Sequence, residues 1–150
     1  MRTGTKIRSG EQVAEHLPQL REWFLAQWGK IDPFEGNHPG IVVPDPLLAF
    51  NTDNQLQGGL VFSTFDSPKS DQVGVWINAV YVDPQYRGQR IGSALIALAE
   101  NSARQQRIET LFVYTQIPAL YSNLGWQLIE QTNADCVLTK ELISSAVLNT

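Results

Sequence analysis

The chain has 150 residues, 43% hydrophobic and 17% charged, with a formal net charge of -4. Its length suits one domain with a core that needs no staples, and its negative charge argues against a nucleic-acid partner. One cysteine, Cys136, excludes an intrachain disulfide or a cysteine zinc cage, and two histidines, His16 and His38, exclude a three-histidine metal site. No metal is therefore expected. An enzyme made from this chain needs activated chemistry brought from outside. The start, Met1 to Lys6, is polar, and no apolar run approaches the ~20 residues of a membrane span. A soluble, cytoplasmic protein with no membrane partner is expected.

Thr5 to Arg8 reads as a short strand. Ser9-Gly10-Glu11-Gln12 has the form of a capping box, and Val13, Leu17, Leu20 and Phe24 follow at helical spacing. Pro18 breaks that pattern, which predicts a kink or two consecutive helices before Gly29. Lys30 to Pro46 is loop-like and rich in Pro and Gly. Long irregular stretches of this kind are often functional. Leu47 to Asn51 and Gln55 to Phe65 read as a hairpin, turning at Thr52 to Asn54. Asp71 to Val82 is a long strand stopped by Asp83-Pro84, rich in β-branched and aromatic residues. A loop from Arg87 to Gly92 leads into a helix over Ser93 to Arg104. Ile108 to Thr115 is a strand, Pro118 to Asn123 a short helix, and Leu124-Gly125-Trp126 the turn out of it. Gln127 to Glu130 and Cys136 to Lys140 form a last hairpin. The tail from Ile143 has no assigned element. The order predicts a mixed α/β (α+β) fold, with a largely antiparallel sheet and one βαβ crossover.

The informative stretch runs from Val80 to Leu95. A strand feeds a basic loop with two glycines, and the loop opens a helix. Free N–H groups at a helix start, with the helix dipole behind them, favour an anion. Gly88 and Gly92 admit close approach, and Arg87 and Arg90 can add charge-assisted contacts. Neither the Walker spacing nor the dinucleotide fingerprint is present. The loop is instead similar to the pyrophosphate motif of the GNAT superfamily, the GCN5-related N-acetyltransferases, Arg/Gln-x-x-Gly-x-Gly/Ala. Arg87 to Gly92 fit it, with Arg90 where the first motif glycine usually stands. Trp76 to Val82 resembles the family's preceding strand. Ala119-Leu120-Tyr121-Ser122-Asn123-Leu124-Gly125-Trp126 resembles its A-L-Y-x-x-L-G-F segment. The resemblance covers roughly Leu47 to Leu142.

The resemblance implies a GNAT-like sheet with a βαβ acyl-CoA-binding core. It implies an N-acyltransferase using acetyl-CoA (CoA), with a small amine or peptide amine as acceptor. It implies cofactor contacts at Val80, Tyr81, Val82, Arg87, Gly88, Gln89, Arg90, Ile91, Gly92, Ser93 and Tyr121. Val82 or a close neighbour is the expected oxyanion donor, and Tyr121 the expected acid toward the thiolate. Trp76, Asn78 and Tyr114 are the expected acceptor contacts. Many family members carry a carboxylate base near the position of Asn78, and an amide takes no proton at neutral pH. Asn78 thus supports an alternative, a non-catalytic acyl-CoA-binding or sensing domain. His38 and Glu35 are candidate bases, with a plain loop histidine the favoured reading of His38. His16 reads as structural, and Trp23, Phe24 and Trp28 as helix-packing residues. Strand alternation places Trp76 on one face with Asn78 and Val80. Cys136 reads as buried and inert. The turn near Trp126 leaves open an acceptor site shared with a second copy, as a homodimer.

Overall fold

The computed structural model describes residues 5–29 and 38–142. The expected strand at the start is β1, Lys6–Ser9. The capping box does not form: Ser9 uses its carbonyl to accept Gln12 N–H at 3.0 Å. A 3-10 turn over Ala14–His16 runs into α1, Leu17–Trp28. Pro18 therefore opens the helix and does not break it. Its missing N–H costs nothing in a first turn, where that donor has no helical partner. Gly29 closes α1 with a φ of 76°. Residues 38–46 are irregular, and 30–37, with Glu35, lie outside the described residues.

β2 (Leu47–Phe50), β3 (Leu56–Asp66) and β4 (Val73–Val82) form an antiparallel meander. α2 (Ile91–Gln105) crosses over to β5 (Thr110–Thr115), parallel to β4. α3 (Pro118–Ser122) then leads to the hairpin β6 (Gln127–Thr132) and β7 (Asp135–Glu141). The hairpin loop is tighter than expected, because Asn133 adopts a left-handed φ of 57°. α2 starts two residues earlier than its sequence pattern suggested, since Ile91 already faces the core. Among the described residues the sheet has seven strands in the order β1-β2-β3-β4-β5-β7-β6.

Two apolar clusters clamp this sheet. On one face α2 and α3 bury Leu95, Ile96, Ala99 and Tyr121 against Leu60, Phe62, Ile77, Leu111 and Leu138. On the other, Leu20 and Phe24 of α1 sit on Leu48, Phe50, Val61 and Ala79. At Gly58 and Gly59 the strands and α1 come very close. A Cβ on Gly58 would run into Tyr81 O, and one on Gly59 would lie 2.6 Å from Leu20 Cδ1.

One irregularity places the site. Val61 opposes Ala79 and Phe62 opposes Ile77, so Asn78 is the extra residue of a β-bulge in β4. The bulge reverses the alternation. Ile77 packs under α2, but Ala79 packs under α1, while Val80 and Val82 rejoin the α2 side. Trp76 therefore does not share a face with Val80, contrary to simple alternation. It packs on Phe112, on the sheet face that α1 occupies further along.

Candidate functional site

β4 and β5 pair only from Val75–Leu111 to Ile77–Val113. Beyond the bulge they splay, so among the described residues the β5-facing edge of β4 from Asn78 to Val82 has no strand partner. Asp83 N–H donates to Gln57 O at 2.8 Å, and Gly59 opposes Tyr81. Alternation in an antiparallel ladder then turns the main-chain groups of Tyr81 and Asp83 toward β3. Those of Val80 and Val82 point into the gap.

Two adjoining clefts open there. One, of about 850 Å³, is lined by Asn78, Val80, Trp76, Tyr114, Tyr121 and Trp28 among others. The second, of about 640 Å³, is lined by Val80, Tyr81 and Val82, the loop residues Arg87, Gly88 and Arg90, and Ile91, Gly92 and Ser93 at the start of α2. Val80, Trp28, Ile117 and Leu120 belong to both. Gln89 is exposed and does not line either.

The loop is shaped for an anion. Pro84–Tyr86 forms a 3-10 turn, and Gly88 and Arg90 follow with φ of 85° and 63°. Arg90 thus takes the left-handed geometry that glycine holds at no cost, at a strain of about 1 kcal/mol. No side chain caps α2, so its first N–H groups face outward. Arg87 is held in place, with Nε donating to Val82 O at 2.9 Å and its guanidinium 5.6 Å from the Tyr81 ring centre. A Cβ at Gly92 would meet only Leu120 at 3.8 Å and Val82 at 3.9 Å, so the glycine leaves room on the cleft side.

At the other end stands Tyr121, 3% exposed. Burial pushes its phenol well above the usual tyrosine value, so the hydroxyl keeps its proton. Its ring meets the edge of Trp126 at 5.3 Å. Trp126 donates from Nε1 to buried Glu100 at 3.0 Å, and Glu100 also holds Lys140 Nζ at 3.0 Å. Lys140 bonds Leu124 O at 2.6 Å. This cluster ties α3 and the turn after it to α2. Tyr114 is 60% exposed, and Asp135 beside it, as hydrogen-bond acceptor, raises its phenol.

The model of the GNAT acetyltransferase family matches residues 11–126. The chain belongs to this family. No curated protein matches it. Solved GNAT structures share the fold at low identity. An acetyltransferase of the GNAT family from Staphylococcus aureus Mu50 is 18% identical, with a TM-score of 0.66 over 93% of this chain and 100% of that one. A Drosophila melanogaster polyamine N-acetyltransferase is 15% identical, with a TM-score of 0.65 over 92% and 100%. Naa50 of Arabidopsis thaliana, in complex with the bisubstrate analogue CoA-Ac-MVNAL, is 17% identical, with a TM-score of 0.63 over 91% and 98%.

In this GNAT chain the splay gathers most residues singled out in the sequence. His38 is not among them: it is exposed, and its Nδ1 sits 2.7 Å from Pro39 O. His16 packs edge-on to Phe50. Cys136 is buried. Trp28 packs on Phe24 at 5.6 Å and edge-on to Tyr81 at 6.4 Å, as expected of a helix-packing residue. It is 41% exposed and lines both clefts, since α1 ends over the gap. Phe65 and Ser63 also line the larger cleft and were not singled out. Their position depends on the β3–β4 register, which pairs Ser63 with Trp76 and which local sequence does not encode. Among the described residues no cluster of His, Cys, Asp or Glu could hold a metal ion, and no helix is long and apolar enough to cross a membrane.

Proposed function

We propose that this chain transfers an acetyl group from acetyl-CoA to a primary amine by direct attack, acting as one domain. The observation that carries the reading is the unpaired β5-facing edge of β4, with an anion-shaped basic loop at one end and a buried tyrosine at the other. The residues fit the coenzyme. Arg87, Arg90 and the N–H groups of Ile91, Gly92 and Ser93 would take the pyrophosphate. The outward main-chain groups of Val80 and the N–H of Val82 would pair with the amides of the pantetheine arm as a strand would.

When bound, acetyl-CoA supplies an acyl group already activated as a thioester. The acceptor nitrogen forms the C–N bond as the C–S bond breaks, and the pair leaves on sulfur. Tyr121 O–H would give its proton to that sulfur and recover one from the water that takes the proton lost by the nitrogen, so amide and free thiol form with no net change at Tyr121. The Val80 N–H would hold the carbonyl oxygen as its charge grows. Val80 suits this better than Val82 because it shares a cleft with Tyr121, whereas Val82 lies at the loop end. Trp76, Asn78 and Tyr114 form the acceptor side.

The test is thiol release from acetyl-CoA with a panel of primary amines. Saturable release with at least one amine supports the transferase. A second reading, a CoA-binding domain without turnover, is favoured by Asn78, which offers an amide and no base on the bulge. CoA binding without release across the panel would select it.

A further inference from the structure

The larger cleft has an unusual composition for an amine site. Among the described residues, no Asp, Glu, Lys, Arg or His lines it. Its polar side chains are neutral, including Ser63, Asn78 and Gln116. Its walls are aromatic. Phe65 is 67% exposed and meets Trp76 edge-on at 6.2 Å, and Trp76 lies 5.3 Å from Phe112. Trp76 is fixed by its Nε1 donating to Phe65 O at 3.3 Å. Tyr114 and Trp28 supply further aromatic surface. Asp135 does not line the cleft, and one of its oxygens already accepts Gln116 Nε2 at 2.9 Å.

These aromatic rings are left open to the cleft. A soluble surface keeps few such rings exposed together without a use for them. A polycation such as a polyamine would have to give up hydration for each charge with no carboxylate of the described residues lining the cleft to meet it. A monoamine with an aromatic body would lose little. Its ring can stack on Phe65 and Trp76, and its single nitrogen can meet the neutral amide of Asn78.

Taking the transferase reading as its basis, we infer that the acceptor is an aromatic monoamine bound between Phe65, Trp76, Tyr114 and Trp28, and not a polyamine. The same surroundings bear on the missing base. Among the described residues, the titratable groups lining the cleft are the Tyr114 and Tyr121 phenols, and both have raised values. An apolar site disfavours the ammonium form, so the bound nitrogen sheds its proton to water more readily than in solution.

The experiment titrates tryptamine and spermidine calorimetrically into the free chain and into the CoA-loaded chain, then measures thiol release with both. The expected result is tryptamine binding at least about tenfold tighter than spermidine. Phe65→Ala should weaken tryptamine about tenfold and leave CoA affinity unchanged. Phe65 is two-thirds exposed, so this variant folds. Phe65→Asp should reverse the preference toward spermidine. Spermidine binding as tightly as tryptamine, or tryptamine binding that is absent or indifferent to both variants, would overturn the inference. Tryptamine binding without thiol release would uphold the aromatic site as a ligand site and overturn its ligand as an acetyl acceptor.

Discussion

Tyr121 and Arg90 show how little of a residue's role is in its letter. Burial holds the Tyr121 phenol neutral beyond its ordinary range. Tyr121→Phe should lower turnover roughly 10²-fold and barely change CoA affinity, as read from paired kinetics and calorimetry. An unchanged rate would remove its role as acid. The pH dependence has a definite sign. The folded value is raised, so its stabilising effect is complete below the unfolded value of about 10 and is lost as pH rises through the folded value. Turnover should therefore show no basic limb from Tyr121 up to pH of about 10. Arg90 departs from the family motif in sequence and takes a left-handed φ of 63°, a conformation that glycine adopts freely. Arg90→Gly should relieve strain and raise stability by up to about 1 kcal/mol, measured by urea unfolding. If the guanidinium meets phosphate, the same variant weakens CoA binding.

The site is made by the way elements meet. Gly58 lets β3 lie against β4 where the arm would bind. Gly58→Ala would press a methyl onto Tyr81 O, which belongs to backbone and has little room to yield. A loss of about 1–3 kcal/mol is expected in denaturant unfolding, with weaker CoA binding because β4 shifts. Glu100 joins α2 to the turn after α3 through Trp126 and Lys140. Glu100→Ala should cost about 3 kcal/mol, because Lys140 stays only a fifth exposed without its main counter-charge. Loss below about 1 kcal/mol in urea melts would show that the cluster is a minor tie.

Across the whole molecule, the strands and helices were legible because their apolar periodicity is strong and Gly and Pro mark their ends. The loop that opens α2 was legible as well, since Arg87 to Gly92 and the strand before it are contiguous. The larger cleft was only half legible. Trp76, Asn78 and Tyr114 were found, but the bulge at Asn78 reversed the face assigned to Val80. Trp28 and Phe65 come together only through α1 docking and the β3–β4 register. Such long-range pairing leaves no local signal. The charge of the whole chain also misleads. The net value is -4, yet Arg87 and Arg90 stand at the second cleft and no charged side chain of the described residues lines the first.

The central claim is that the splayed edge of β4 and the loop after it hold CoA. Calorimetric titration of acetyl-CoA into the natural chain and into Gly92→Glu tests it most directly. The glutamate would fill the space the glycine leaves and set a negative charge against the pyrophosphate. Saturable binding by the natural chain and a loss of at least about 100-fold in the variant is the expected result. No binding by the natural chain, or equal affinity in the variant, would contradict it.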